Sequence, residues 1–363
     1  MSTKKLDTII IGGGLCGIYA ASLLAEKNIS QLVLEARPRL GGRILSPNYK
    51  GVAMDLGPSW YWPRINPQVT ALVKDLDLET YPQFETGHGR FQGRDGGVET
   101  IPGYPMDPPG WRLKGGMGAL IQGLCARIPK HVIHLDHPVC EVQKKKGGIR
   151  VVVGQLDEAP RCSFEAAHVI LALPPRLAAS SILFTPDFSH GLTQAMLKAS
   201  TWMAGQAKFF ALYDAAPWRE MGFSGQGFSL GGPLGEIHDG SVAAGAPHGL
   251  TGFVSIPALR RRDEKTMVQA ILSQLSQIHG PAAGQPLCVQ YRDWAREEFT
   301  ATDYDKRSAH NHPEYQPPSG KTSVWDNRFH FAGTETAGHL GGYLEGALIS
   351  ARRAVEAVFQ SGL

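Results

Sequence analysis

Apolar residues are grouped along the 363-residue chain in short runs that alternate with glycine turns and helical patterns. Residues 8–11 ("TIII") are β-branched throughout, which is typical of a strand buried in a parallel sheet. Residues 18–26 then carry small and apolar side chains on a helical period, and residues 31–34 ("QLVL") form a second strand. This order predicts a strand, a tight turn, a helix and a second strand.

Further patterns follow in the middle and at the end of the chain. Residues 132–153 predict a strand, a crossing and a second strand, and residues 168–188 predict a strand that leads into a Pro-Pro turn. Residues 82–112, which come before these two stretches, are rich in glycine and proline and have little helical periodicity. Residues 329–358 contain three clusters of small residues that lead directly into a predicted helix from about residue 344.

Composition and charge place the chain among ordinary globular proteins, with enough length for two structural units. Apolar residues make up 42% of the sequence and charged residues 19%. The net charge of +3 is too small to support nucleic-acid binding. We therefore interpret the basic runs at 144–146 and 260–262 as solvated turns or helix faces.

No apolar run approaches the roughly 20 residues that span a bilayer, and the N-terminus lacks the long apolar stretch of a signal peptide. The five cysteines are odd in number and scattered, without metal spacing or a disulfide framework. We therefore expect reduced thiols, no metal site and a cytoplasmic location.

Three glycines after the first predicted strand have the spacing of a dinucleotide-binding turn. Gly12 permits the tight turn, Gly14 lets the backbone approach a pyrophosphate, and Gly17 allows the helix to pack closely on the strand. The helix N-terminus then offers free N–H groups to the phosphates. Glu35, at the end of the second strand, would accept hydrogen bonds from an adenosine ribose. Because glycine turns are common, the flanking strands, helix and acid carry this interpretation.

A second glycine pair indicates which dinucleotide to expect. In "RLGGR", residues 39–43, the glycines admit a second loop to the nucleotide and the arginines can neutralise a diphosphate. A surface turn with solvated charges is the alternative. Together with "VAMDLGPSWYWP" (52–63) and "AGTETAGHLGGYLEGA" (332–347), this arrangement resembles the FAD-dependent amine oxidase superfamily and not the nicotinamide dehydrogenases.

The resemblance implies an α/β fold with an FAD-binding Rossmann-type (GR2-like) domain and an α+β substrate domain formed by inserted segments. The expected boundaries are 1–78, 113–185 and 297–363 for the FAD-binding domain, and 79–112 and 186–296 for the substrate domain. Larger relatives place several helices where this chain has only residues 82–112. The cavity is therefore expected to be open, or covered by another subunit or partner, and a homodimer is one alternative.

The resemblance also implies which residues hold FAD. Besides the four residues of the first motif, they are Ala36, Arg37, Gly42, Arg43, Gly57, Pro58, Ser59, Val142 (through its backbone), Gly333, Thr334, Glu335, Gly342, Tyr343 and Leu344. The C-terminal helix would direct the positive end of its dipole, at its N-terminus, at the pyrimidine edge of the flavin. The alternative explanation of the C-terminal glycines is a close, glycine-rich contact between helices. Asp303 stands where the mitochondrial monoamine oxidases carry a cysteine bonded to flavin, so FAD is expected to bind noncovalently.

Four residues match the monoamine-oxidase-like branch of the superfamily. Lys208, in an apolar run, matches a lysine that faces the flavin and assists its reaction with oxygen, although a strand-edge lysine could also reach solvent. Trp294 would pack beside the flavin. Tyr304 and Tyr343 match the two walls of an aromatic cage that orients the substrate amine, whereas core packing is the usual role of an isolated tyrosine.

Trp60 and Tyr61 are the remaining expected pocket residues, and with Trp62 they form an aromatic patch that either lines the pocket or packs against the flavin domain. The amino-acid oxidases clamp a substrate carboxylate with an arginine in this stretch. Here Trp60 occupies that place and Arg64 follows a few residues later, which weakens the amino-acid oxidase alternative without excluding it.

The resemblance implies flavin-dependent oxidation of a primary or secondary amine, with reduction of O2 to hydrogen peroxide. The alternatives are an L-amino-acid or polyamine oxidase, a desaturase or protoporphyrinogen-type flavoprotein, and a flavin-binding protein with reduced oxidase activity. The expected partners are a small amine and O2. Nucleic acid is not expected because the net charge is small, and a membrane anchor is not expected because the tail ends at Leu363, shortly after the flavin-domain helix.

Overall fold

Two β-sheets organise the protein, and the computed structural model describes residues 6–156, 158–242, 247–307 and 312–361. The strands are β1 Leu6–Ile11, β2 Gln31–Leu34, β3 Asn48–Tyr49, β4 Val52–Ala53, β5 Thr80–Pro82, β6 His88–Gln92, β7 Val98–Ile101, β8 Trp111–Leu113, β9 Ile133–His134, β10 Val139–Lys145, β11 Gly148–Val153, β12 Cys162–Leu171, β13 Leu183–Thr185, β14 Ala207–Tyr213, β15 Phe223–Ser229, β16 Leu234–Asp239, β17 His248–Val254, β18 Cys288–Asp293, β19 Ser323–Val324 and β20 Phe329–Phe331. The α-helices are α1 Leu15–Glu26, α2 Pro67–Asp75, α3 Gly118–Cys125, α4 Pro175–Ser181, α5 His190–Lys198, α6 Pro217–Glu220, α7 Glu264–His279 and α8 Leu344–Gln360.

The first sheet has the predicted strand–helix–strand unit at its centre. Its order is β13-β10-β11-β12-β1-β2-β9, with β20 joined to β12 and β19 joined to β20. β1 lies parallel between β12 and β2, with Ile9 opposite Val169 on one side and Leu32 on the other. The α/β class and the dinucleotide-type unit predicted from the sequence are therefore confirmed.

The centre of this sheet is buried on both faces, which explains why Ile9, Ile10 and Ile11 of β1 are all apolar. Ile10 packs with α1, α2, α3 and α8 on one face. Its neighbours Ile9 and Ile11 point to the other face, among residues of β10–β13, α4 and α5. Because successive strand residues alternate between faces, a strand covered on both sides needs apolar residues at every position.

The second sheet has seven strands in the order β18-β14-β17-β16-β15-β6-β7. Helix α7 packs its apolar side against this sheet through Met267, Ile271 and Leu275. All seven strands come from residues 79–112 and 186–296, and the strands of the first sheet come from the other predicted segments. The exact domain boundaries stay a prediction.

The segment 82–112, for which the sequence indicates no helix, contains a β-hairpin. β6 pairs antiparallel with β7 and parallel with β15, so the hairpin extends the edge of the second sheet. β5 and β8 flank it as a separate antiparallel pair. Within the ranges that the structure describes, no helix has the length and apolarity needed to cross a membrane.

Candidate active site

A cavity lies where the carboxyl ends of parallel strands in the first sheet face the second sheet. Gly12, Glu35 and Ala172 follow β1, β2 and β12 and line its floor. Lys208 of β14 and Phe253 of β17 line it from the second sheet. The carboxyl edge of a doubly wound sheet is where such folds bind ligands.

Most of the residues expected from the sequence line this one cavity. They are Gly12, Gly14, Glu35, Arg37, Gly42, Arg43, Gly57, Pro58, Ser59, Trp60, Tyr61, Lys208, Trp294, Gly333, Thr334, Glu335, Gly342, Tyr343 and Leu344. They come from both ends of the chain and from three segments between them, so the fold brings together what the sequence separates.

The first glycine turn has the geometry that a pyrophosphate requires. Gly12 has a φ of +106°, and a Cβ on Gly17 would overlap the carbonyl oxygen of Gly12, so the helix lies directly against the turn. A Cβ on Gly14 would meet only the Cα of Gly42, 4.0 Å away. No side chain caps the start of α1, so its first N–H groups are available to an anion.

The Glu35 carboxylate is held at the end of β2 by backbone donors. The N–H of Gly13 donates to Oε2 at 2.6 Å, and the N–H of Arg37 donates to Oε1 at 2.9 Å. This geometry orients the carboxylate on the cavity floor, beside the glycine turn. Its predicted role as the acceptor of a ribose hydroxyl fits this position.

Arg43 and Glu335 join the two ends of the chain under the cavity. Their Nη1 and Oε1 atoms are 2.6 Å apart, and the side chain of Glu335 is 0% exposed. Arg43 also donates to the carbonyl oxygen of Trp202 at 3.1 Å. The predicted C-terminal FAD segment is therefore tied to the second glycine pair by an ion pair whose carboxylate is fully buried.

The C-terminal glycines have two different roles in the structure, and neither is the contact between helices given as the alternative. Gly333, with a φ of +95°, and Gly342, with a φ of +86°, line the cavity. Gly341 and Gly346 instead allow close packing, because a Cβ there would press on Tyr315 and on the carbonyl oxygen of Leu340. No side chain caps the start of α8, and Leu344 in its first turn lines the cavity.

Lys208 points into the protein and does not reach solvent. Its ammonium donates to the carbonyl oxygen of Gly57 at 2.6 Å and to Oγ of Ser59 at 2.7 Å. The residue is 3% exposed, and burial lowers the pKa of Lys208 to about 7. It lies 5.0 Å from the ring centre of Phe253 and 6.0 Å from that of Trp60.

The tryptophans complete the wall of the cavity around this lysine. The indole N–H of buried Trp294 donates to the carbonyl oxygen of Leu56 at 2.8 Å, which fixes the ring against the predicted flavin-contacting stretch. Trp60, Tyr61 and Trp62 all line the cavity, so the aromatic patch faces the site. Arg64, in contrast, has a side chain that is 77% exposed and is not a lining residue.

The predicted pair of cage tyrosines is not brought together. Tyr343 lines the cavity, but Tyr304 is 67% exposed and does not line it. The ring parallel to Tyr343 is that of His312, with centroids 4.9 Å apart and an angle of 11°. Trp62 meets Tyr343 edge-on at 6.3 Å. The assignment of Tyr304 to the pocket is therefore corrected, because its side chain lies at the surface while the next residue, Asp305, is the one that points inward.

Three residues expected to bind cofactor do not line the cavity either. Gly17 acts through packing, as described above. Ala36 lies between Glu35 and Arg37 without lining the cavity. Val142 is fully buried and paired in the sheet with Val151 on one side and Phe184 on the other, so its backbone faces neighbouring strands and not a ligand.

The sequence analysis missed several lining residues. They are Asn66, Leu173, Pro174, Trp202, Met203, Gln206, Phe253, Phe299 and Thr300. The ring of Trp202 contacts that of His312 at an angle of 57°, with ring centres 4.5 Å apart. Their only sequence signal is proximity to matched segments, because Gln206 precedes the Lys208 strand and Phe299 follows Trp294.

The residues present fit FAD. A cradle of glycines without side chains, an uncapped helix N-terminus and an acid beside it suit an adenosine diphosphate group. An apolar and aromatic chamber with one buried ammonium adjoins this cradle and suits a flat ring system. No group of three or more His, Cys, Asp or Glu side chains that could hold a metal ion occurs within the described ranges.

Comparison with known families agrees with this geometry. The family model for flavin containing amine oxidoreductases matches residues 85–359, and a model of NAD(P)-binding Rossmann-like domains matches residues 10–76. The first match covers well over half of the chain.

Individual relatives are distant but match along nearly the whole chain. Putrescine oxidase of Kocuria rosea is 24% identical, over 98% of this chain and 95% of its own length. Amine oxidase [flavin-containing] B of Homo sapiens is 23% identical, over 99% of this chain and 87% of its own. The alignment with putrescine oxidase spans 475 positions against 363 residues here, so that relative holds internal segments that this chain lacks.

Solved structures show the same fold. Cyclohexylamine oxidase from Brevibacterium oxydans IH-35A superposes with a TM-score of 0.82 at 20% identity, over 98% of this chain and 99% of that one. A putrescine oxidase bound to putrescine superposes with a TM-score of 0.78 at 20% identity and the same coverage.

Proposed function

The chain belongs to the family of flavin-containing amine oxidoreductases, and from this premise we propose that it uses FAD to oxidise a primary or secondary amine. The amine loses a hydride and a proton to become an imine, which water hydrolyses to an aldehyde or ketone and ammonia or a smaller amine. O2 takes up the two electrons and two protons and leaves as hydrogen peroxide. Relatives are named for putrescine and for cyclohexylamine, so they support an amine without selecting one.

The observation that carries this proposal is the buried ammonium of Lys208 in an aromatic chamber that adjoins a nucleotide cradle. When bound, the isoalloxazine supplies the acceptor for the hydride of the substrate C–H bond. Gly12, Gly14 and the start of α1 would hold the diphosphate, and Glu35 the ribose. Arg43 and Glu335 fix the two cofactor-binding segments to each other.

The chain's own side chains orient the amine and exclude water. Trp60, Trp62 and Tyr343 offer aromatic surface to the substrate carbon beside nitrogen, and the apolar walls favour a neutral amine over its ammonium. Lys208 is held rigidly by Gly57 and Ser59, so its charge is preorganised toward the negative charge that develops during the reaction with oxygen.

FAD is proposed to bind without a covalent bond. Asp303, at the position of the flavin-linked cysteine in mitochondrial monoamine oxidases, has a side chain that is 84% exposed and forms an ion pair with Lys306. Cys16 does line the cavity, but burial raises the pKa of its thiol and disfavours the reactive thiolate. Acid denaturation should release all flavin into solution, and flavin retained on the precipitate would contradict this proposal.

The direct test is release of peroxide from the FAD-loaded protein on a panel of primary, secondary and cyclic amines. Peroxide with at least one amine supports the proposal, and none with any amine contradicts it. Amino acids serve as the comparison substrates, because Arg64 is exposed and is not placed to bind a substrate carboxylate in the cavity. A cytoplasmic location and a homodimer likewise remain proposals, to be tested by cell fractionation and by light scattering.

A further inference from the structure

A turn that precedes β14 forms part of the wall of the candidate active site. Trp202, Met203 and Gln206 of this turn line the cavity. Two backbone hydrogen bonds close the turn. The N–H of Ala204 donates to the carbonyl oxygen of Thr201 at 3.2 Å, and the N–H of Gln206 donates to that of Met203 at 3.0 Å. The cavity wall therefore includes the thioether of Met203.

Contacts on both sides of this turn place it beside the aromatic chamber of the cavity. Gln206 stands two residues before Lys208, and its carbonyl oxygen accepts a hydrogen bond from the N–H of Trp294 at 2.9 Å. On the other side, a Cβ on Gly342 would lie 3.1 Å from the Cβ of Trp202. The thioether carried between Trp202 and Gln206 therefore lies beside the chamber that holds the buried ammonium.

The backbone of Met203 has a conformation that methionine rarely adopts. Its φ is +63°, in the left-handed region where a Cβ crowds the backbone, and such residues gather at functional sites. The preceding backbone is fixed. The carbonyl oxygen of Trp202 accepts from Arg43, and the N–H of Thr201 donates to Oδ1 of Asp305 at 3.1 Å. Because the turn is held in this way, the side chain of Met203 stays at the cavity wall.

The other methionines that the structure describes differ from Met203 in exposure or in position. The buried ones are Met54, Met117, Met196 and Met267. Met221 is 52% exposed but does not line the cavity. Met106 is half-buried, as Met203 is, and lines a neighbouring pocket instead. Of the described methionines, Met203 alone lines the cavity in which hydrogen peroxide would form.

We propose that hydrogen peroxide formed in the protein's own turnover oxidises Met203 to methionine sulfoxide and thereby lowers the activity. This inference rests on the proposed amine oxidation, which supplies the peroxide. The sulfur lone pair attacks one peroxide oxygen and the O–O bond breaks, so that sulfur loses two electrons. The departing hydroxide takes the proton of the transferred oxygen and becomes water. The new S=O group is polar and lies in an apolar wall, which is unfavourable.

The test is peptide mass spectrometry of the FAD-loaded protein after turnover of the amine that releases peroxide fastest, with catalase present. Catalase destroys peroxide that has left the protein, so sulfoxide should appear at Met203 before it appears at Met106 or Met221. With added peroxide and no amine, Met221 should be oxidised first, because exposure then governs access. During turnover, the fraction of activity lost should equal the fraction of Met203 that is oxidised.

Met203→Leu keeps an apolar side chain of similar size and cannot form a sulfoxide. Relative to its own initial rate, this variant should keep its activity through a turnover that inactivates the wild type. Met221→Leu, the matched control, should lose activity as the wild type does. If Met203→Leu is inactivated at the wild-type rate, or if Met203 is oxidised no earlier than Met106 during turnover, this inference alone is overturned. If no amine yields peroxide, the proposed function is overturned with it.

Discussion

Arg43 and Glu335 come from opposite ends of the chain and meet in an ion pair at the wall of the cavity, with 2.6 Å between Nη1 of Arg43 and Oε1 of the fully buried Glu335. Each follows a glycine turn that lines the cavity, Gly42 before Arg43 and Gly333 before Glu335. The pair therefore fixes the relative position of the two turns. The site between the two turns is therefore formed before a ligand binds.

Glu335→Gln should lower the free energy of unfolding of the FAD-free protein by about 1.5–3 kcal/mol, because it removes the charge of a hydrogen-bonded, fully buried partner of the partly exposed Arg43. It should also weaken FAD binding. Urea denaturation and flavin titration measure the two effects.

Glu79→Gln provides the control, since Glu79 pairs with Lys114 and both side chains are well exposed. Its effect on unfolding should stay below about 1 kcal/mol. Equal effects of the two substitutions would show that the Arg43–Glu335 pair has no special structural role.

Lys208→Met should slow reoxidation of the reduced protein by oxygen by about 10²-fold, with a much smaller effect on reduction by amine. The reason is that the substitution removes the amino group of Lys208, and with it the positive charge that is present below about pH 7, and keeps the length of the side chain. Stopped-flow spectroscopy separates the two half-reactions. Lys198→Met, at the exposed end of α5, is the control. Equal slowing of both half-reactions would contradict the role given to Lys208.

The stability contributed by Lys208 should depend on pH. Below a pKa of about 7 the lysine is charged in both the folded and the unfolded chain, and the folded chain bears the full cost of burying the cation. Between about 7 and the ordinary value of 10.5, only the unfolded chain holds the proton, so the free energy of unfolding rises with pH. Above this pH range the lysine is neutral in both the folded and the unfolded chain, so no cost of burying a cation remains.

Lys208→Met lacks this titration and gives the reference. The difference in unfolding free energy between FAD-free wild type and the variant, measured in urea from about pH 6 to pH 10, should shift in favour of the wild type as pH rises. A difference that does not change with pH would mean that Lys208 titrates like an exposed lysine.

Tyr343→Ala should reduce kcat/KM for amines by about 10²-fold, because it removes the ring that borders the cavity between Trp62 and His312. Tyr304→Ala should have little effect on catalysis, since Tyr304 is on the surface. Steady-state assays on one amine compare them. A large loss in Tyr304→Ala with none in Tyr343→Ala would reverse the correction made from the structure.

Local patterns predicted the elements that depend on local physics. The β1–turn–α1 unit follows from a β-branched run, glycine spacing and a helical period, and the structure has all three within adjacent residues. The sequence indicated a role for Lys208 because a charged side chain in an apolar strand needs hydrogen-bond partners. In the structure Gly57 and Ser59 provide them. The partners themselves lie far away in sequence and were matched only through the family resemblance.

The failures concern register and long-range placement. Val142 follows an irregularity in the pairing of β10 with β11, between Val139 and Glu141, and such a shift changes which residues face a neighbouring element. Tyr304 lies in an irregular segment whose path depends on distant contacts, such as that of Asp305 with Arg176. Hydrophobic periodicity carries no information on either point.

Anaerobic mixing of the FAD-loaded protein with a panel of mono- and diamines tests the central claim most directly. If the cavity holds the amine against FAD as proposed, the yellow flavin absorbance bleaches with at least one amine and returns, with release of hydrogen peroxide, when air is admitted. Absorbance that persists with every amine would contradict amine oxidation by this protein.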